Sequence, residues 1–161
     1  MLKITTKITQ GTELWTASRL VAAILMAPLG YIVALIYTRN YSELNEQFGI
    51  MFWLGCTVCG LWLGWRILGK DPGDGRGKSF GKGLFAGISL FLLCVIWQST
   101  LFTYDNLTAA SFDSPEIIPG RMMTHIIRFF REFLEPPILF VCGVGGLFAG
   151  RIVGLVNYYW R

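Results

Sequence analysis

Charge is absent from long stretches of this chain. Residues 20–38, 48–65 and 83–104 carry no Asp, Glu, Lys or Arg, and 136–150 is a shorter run that 152–160 continues past Arg151. A helix needs roughly 20 residues to cross the hydrocarbon core of a bilayer. Three runs have about that length, and the fourth has it if Arg151 is accommodated. Apolar and polar residues do not alternate with period two, and lipid tolerates only helices or closed barrels, so helices are expected. With 161 residues, 53% of them apolar, and a mean hydropathy of +0.52, the chain is one domain too apolar for an ordinary soluble fold. The expectation is all-α: a four-transmembrane-helix bundle forming a single integral membrane domain, with spans at about 17–38, 48–68, 82–104 and 136–157.

The net charge of +4 raises the question of nucleic acid, and its distribution answers it. Lys3, Lys7 and Arg19 precede the first span. Arg66, Lys70, Arg76, Lys78 and Lys82 lie between the second and third, and Arg151 and Arg161 come at the end, so one side holds ten of the fourteen cations. Arg39, Arg121, Arg128 and Arg131 fall on the other side. Short cytoplasmic loops collect Lys and Arg, which places both termini in the cytoplasm, N-in and C-in, and gives the cations a topogenic role with no nucleic-acid partner. Residues 1–18 contain five threonines, two lysines and one acid. They lack the apolar core of a signal peptide, so no cleaved leader is expected.

The stretch PGDGRGKS, 72–79, ends like a phosphate-binding loop but has proline where that motif needs its first glycine. Such a loop also needs a preceding strand in an α/β domain. Between two membrane helices it reads as a turn, with its cations held on the cytoplasmic side.

Residues 103–120 read as a loop on the opposite side, as does the short segment 39–47. The sequence 121–135, RMMTHIIRFFREFLE, is different. Met122, Met123, Ile126, Ile127, Phe129, Phe130, Phe133 and Leu134 make one face; Arg121, Thr124, His125, Arg128, Arg131, Glu132 and Glu135 make the other. This is helical segregation, and it predicts an amphipathic helix at about 118–135 on the periplasmic side. That helix lies either in the membrane interface or against a partner subunit's membrane edge. Pro136-Pro137 ends it and opens the last span. Aromatic residues cluster near the span ends: Trp15, Trp62, Trp65, Tyr158, Tyr159 and Trp160 on one side, Tyr37, Tyr41, Trp53 and Tyr104 on the other. They read as interfacial anchors.

GLFAG occurs at 83–87 and again at 146–150. The second copy extends into a Gly146, Gly150, Gly154 series, and Gly60 and Gly64 have the same spacing. Small residues four apart let helix backbones approach closely; these faces either close the bundle or dock a partner. Cys56 and Cys59 form a C-x-x-C at mid-span, with Cys94 and Cys142 also within spans. A reactive thiolate needs water, a cation or a helix N-terminus, so apolar filling is favoured over thiol chemistry. His125 is the only histidine, which excludes a self-contained bis-histidine haem. It reads as a solvated interfacial residue between Arg121 and Arg128, with a quinone or pigment contact as the alternative. Arg151 either snorkels to the headgroups or meets a partner from another chain or a lipid phosphate. No catalytic, cofactor-binding or metal-binding residue emerges.

Taken in order, LVAAILMAPLGYIVA, GCTVCGLWLGWRILG, FLLCVIWQS, FDSPEI, EPPILFVCGVGGLFAG and the closing YYWR resemble the TrgA-type membrane proteins of alphaproteobacteria. The resemblance covers about 18–161. It implies a small four-helix protein of the bacterial inner membrane linked to tellurite resistance; it carries no catalytic residues. The threonine-rich start and the C-x-x-C depart from that pattern. The expected function is a non-enzymatic accessory or assembly subunit of a larger membrane complex, such as a respiratory or photosynthetic electron-transport assembly. Its partners would be membrane lipids and other integral subunits. The alternative is a stand-alone tellurite-resistance protein or small oxyanion transporter.

Overall fold

The computed structural model describes residues 17–70, 76–109 and 118–159. They form five α-helices and, among the described residues, no strand: α1 (Ala17–Asn40), α2 (Ser42–Leu63), α3 (Arg76–Ala109), α4 (Ile118–Phe133) and α5 (Pro136–Tyr159). A π-helical turn, Gly64–Leu68, continues α2, with Gly69 N donating to Gly64 O at 2.9 Å. Four segments are long and apolar enough to cross a membrane: Ser18–Asn40, Gly49–Leu68, Lys78–Asp105 and Pro136–Asn157. By length and composition α1, α2 with its π-helical turn, α3 and α5 are compatible with a multi-pass membrane protein. These helices run alternately up and down, with α1 packed on α2 and α5, and α3 on α2 and α5.

Two helices extend beyond the expected spans. The segment 39–47, read as a loop, is almost entirely helical: only Tyr41 separates α1 from α2. In sequence, Glu43 and Glu46 fall within the first turns of α2. Likewise α3 continues through 103–109, also read as loop, because no proline or glycine interrupts Tyr-Asp-Asn-Leu-Thr. Of the turn at 72–79, residues 72–75 lie outside the described residues, and Arg76 already opens α3. Pro136 and Pro137 start α5, where their missing N–H groups would have no helical acceptor. The first helical bonds of α5 run from Ile138 N and Leu139 N to the carbonyl of Glu135, both at 3.1 Å.

The helices touch backbone to backbone where glycine allows it. A Cβ on Gly60 would fall on the carbonyl oxygen of Met26, and one on Gly64 on that of Ala22, so α2 lies directly on α1. Gly30 makes the same approach from α1 to the Cys56 carbonyl. The two GLFAG copies face each other across α3 and α5. A Cβ on Gly146 would lie 2.6 Å from the oxygen of Gly83, and one on Gly83 2.9 Å from Cα of Gly150. Gly87 abuts the Cys142 carbonyl. At the same end Ser79 Oγ donates to the carbonyl of Gly150, and a side chain at Gly154 would strike Ser79. Without a hydrophobic drive between helices in lipid, this close packing supplies the association energy. All the glycine faces singled out in the sequence therefore meet partners within the chain.

Candidate functional site

Charge gathers at the two ends of the bundle. One end is basic: Arg19 opens α1, Arg66 and Lys70 follow α2, Lys78 and Lys82 open α3, and Arg151 lies on α5 beside them. Ser18 Oγ donates to Gly69 O at 3.4 Å and holds the α1 start against the π-helical turn. The guanidinium of Arg151 lies over the ring of Phe80, 5.6 Å from its centroid, and the residue is half-buried. This cation–π contact occupies the side chain at the helix surface.

The opposite end is built around α4. Its apolar face divides into two stripes. Phe129 and Phe133 are fully buried, while Met123 and Ile127, one position round the helix, are 59% and 64% exposed. Phe133 stacks on Tyr37 with centroids 4.2 Å apart, and meets Phe52 and Phe91 edge-on at 6.3 and 6.2 Å. Phe129 meets Phe102 at 5.5 Å. The amphipathic helix thus packs half its apolar face on its own bundle, an arrangement that helical segregation alone does not reveal.

Tyr37 is the clearest correction to the sequence reading. It is no interfacial anchor but a fully buried core residue. The signal was its place on the α1 stripe with Met26 and Val33, both fully buried as well. Its hydroxyl donates to Glu132 Oε2 at 2.9 Å, and Glu132 Oε1 accepts from Arg128 Nε at 2.9 Å. Glu135 accepts from Tyr41 Oη at 3.1 Å and from Asn40 Nδ2, while its main-chain carbonyl starts α5. Glu132 and Glu135 therefore tie the α4–α5 corner to the end of α1. In sequence both fall on the polar face of the amphipathic segment. Partial burial, then the Glu135 carboxylate it donates to, raises the Tyr41 hydroxyl above the ordinary phenol range.

His125 packs its ring edge-on to Phe102 at 4.7 Å and is half-buried, whereas the sequence placed it in solvent. Arg128 pairs with Glu132 and lies 5.9 Å from the Phe129 centroid. The side chain of Arg121 lies outside the described residues. Ser99 Oγ donates to the carbonyl of Met122 at 3.3 Å, and so fastens α4 to α3.

The bundle centre brings the cysteines together, which their separation in sequence concealed. Cys56, Cys94 and Cys142 belong to one buried core cluster, and Cys59 packs against it. Cys56, Cys94 and Cys142 are buried and Cys59 is half-buried; all four are free. Among the described residues no three His, Cys, Asp or Glu side chains are placed to hold a metal ion. One turn from Cys94, Gln98 is 1% exposed, and its Oε1 has no hydrogen-bond partner among the described residues. The remaining buried hydroxyls of this stretch bond to main-chain carbonyls, as Thr103 does to Ser99 O at 2.7 Å. Such back-bonding satisfies a hydroxyl inside a helix without a further partner.

No family model, curated protein or solved structure matches the chain.

Proposed function

We propose that this chain is a TrgA-like, non-enzymatic accessory or assembly subunit of a larger complex in the bacterial inner membrane, with both termini in the cytoplasm and α4 on the periplasmic side. The observation that carries the reading is how the interior is made. Glycines bring α1 onto α2 and α3 onto α5 at backbone contact, and the aromatic cluster under α4 closes one end. The described charged side chains lie at the ends or outer surfaces of the bundle, so no aligned set of charges marks a route for an oxyanion. What the bundle offers to its surroundings is apolar: Ile50, Met51, Leu54, Val58, Phe85 and Phe148 are among its exposed large side chains. A rigid body with such a surface suits contact with lipid and with other membrane helices. The sidedness rests on the Lys and Arg bias.

Extraction at native expression in a gentle detergent or native nanodiscs tests this. Other integral membrane polypeptides should copurify with a tagged chain. Recovery of the monomer alone overturns the proposal. Tellurite or phosphate flux into proteoliposomes containing only this chain, lost on Arg151→Leu, establishes the carrier alternative instead.

A further inference from the structure

Two observations outside that reading meet at the basic end. The first is a groove of about 590 Å³ between α1 and α2, walled by Leu20, Ile24, Pro28, Thr57, Leu61 and Trp65 among others and showing no polar surface. It exists because Ala23, Ala27 and Thr57 are small and stand between bulkier neighbours on the two helices. The second is the π-helical turn. Its widened loop carries Trp65 on the groove wall and the exposed Arg66 directly after it. It also delivers Gly69 against Arg19, since a Cβ there would lie 2.5 Å from Cα of Arg19. Arg19 in turn immediately precedes the wall residue Leu20, and the exposed Lys70 follows Gly69. As the last turn of the α2 helix, the π-helical turn fixes where the helix end and its cations stand relative to the start of α1.

We propose that this groove seats an anionic phospholipid, with one acyl chain lying along α1 and α2 and the headgroup phosphate held by Arg19 and Arg66, with Lys70 beside them. The groove lies within two membrane spans, so its occupant comes from the bilayer. An unbroken apolar wall gives no anchor to a ligand with polar groups along its length. Cations at one mouth only select an amphiphile with a negative head. Guanidinium suits this task because its planar donors match phosphate oxygens. A zwitterionic lipid supplies its own cation and gains less, and a neutral isoprenoid gains nothing from the arginines.

The test is binding of phosphatidylglycerol, phosphatidylcholine and glycerol phosphate to the full-length protein in detergent, by native mass spectrometry with thermal shift alongside. Two interfacial cations contribute roughly fivefold each, so phosphatidylglycerol should bind roughly 25-fold more tightly than phosphatidylcholine. Arg19→Gln with Arg66→Gln should abolish the preference while both lipids still bind; Lys82→Gln, on α3, should leave it intact. Ala27→Trp, which fills the groove, should weaken both lipids. Comparing two lipids on the same variant separates headgroup recognition from any general loss of stability. Equal affinity for the two lipids in the wild type overturns the proposal, as does a preference that survives the arginine substitutions. Stabilisation by glycerol phosphate alone, unchanged binding in Ala27→Trp, or a neutral isoprenoid retained in the groove after purification does so as well.

Discussion

At the level of single residues, glycine and tyrosine carry the most consequence. Gly83 lies so close to Gly146 and Gly150 that any side chain must push α3 and α5 apart. Gly83→Val should therefore destabilise the bundle by about 2 kcal/mol or more, within the range for overpacking a close contact. Gly143, by contrast, has open space where a Cβ would be, so Gly143→Ala should be neutral or stabilise by up to about 1 kcal/mol through helix propensity. Denaturation of both variants in mixed micelles checks the contrast. Tyr41 adds a pH dependence. Its hydroxyl is held above the ordinary phenol range in the fold, so the folded chain keeps that proton more tightly than the unfolded one. The stabilisation is complete below the unfolded phenol pKa of about 10 and is lost as pH rises through the folded value. Proteolytic release of the α4–α5 corner should accelerate above about pH 10, and Tyr41→Phe should flatten that rise.

At the level of elements, α4 behaves as a half-inserted cap. Phe133, in contact with Tyr37, Phe52 and Phe91, should cost about 3 kcal/mol when cut to alanine, the lower end of the range for a buried phenylalanine. The exposed Ile127 should cost under about 0.5 kcal/mol. Equal losses at the two positions, measured in the same micelle, contradict the division of the apolar face. The helices themselves were legible in sequence, because twenty uncharged apolar residues leave lipid-compatible backbone no other option. The paired GLFAG stripes were legible as packing surfaces for the same reason of spacing, though not which helices they join. What sequence did not show are the contacts made across the chain. Glu132 and Glu135 look like solvent-facing charges until Tyr37, Asn40 and Tyr41 are folded beside them. The clustering of the four cysteines depends on three helices at once, and the π-helical turn has no residue signature in GWRIL.

At the level of the whole molecule, the order of helices places the charges without any further rule. Alternating direction brings Arg19, Lys70, Lys78 and Arg151 to one end, and Arg39, Arg128 and Arg131 to the other. The glycine contacts then hold the four spans at distances that larger residues forbid. Each end has its own character: the basic end borders the apolar groove and the π-helical turn, and the other is closed by α4, with Glu132 and Glu135 at the α4–α5 corner. Membrane crossing in this order is the claim on which the packing, the cap and the lipid seat all rest. It is tested most directly by single cysteines introduced into a cysteine-free background and labelled with a membrane-impermeant maleimide from either face of sealed vesicles. Positions 39 and 131 should label from one face only, and positions 70, 78 and 159 from the other only. Labelling of 39 and 70 from the same face would contradict the four-span bundle.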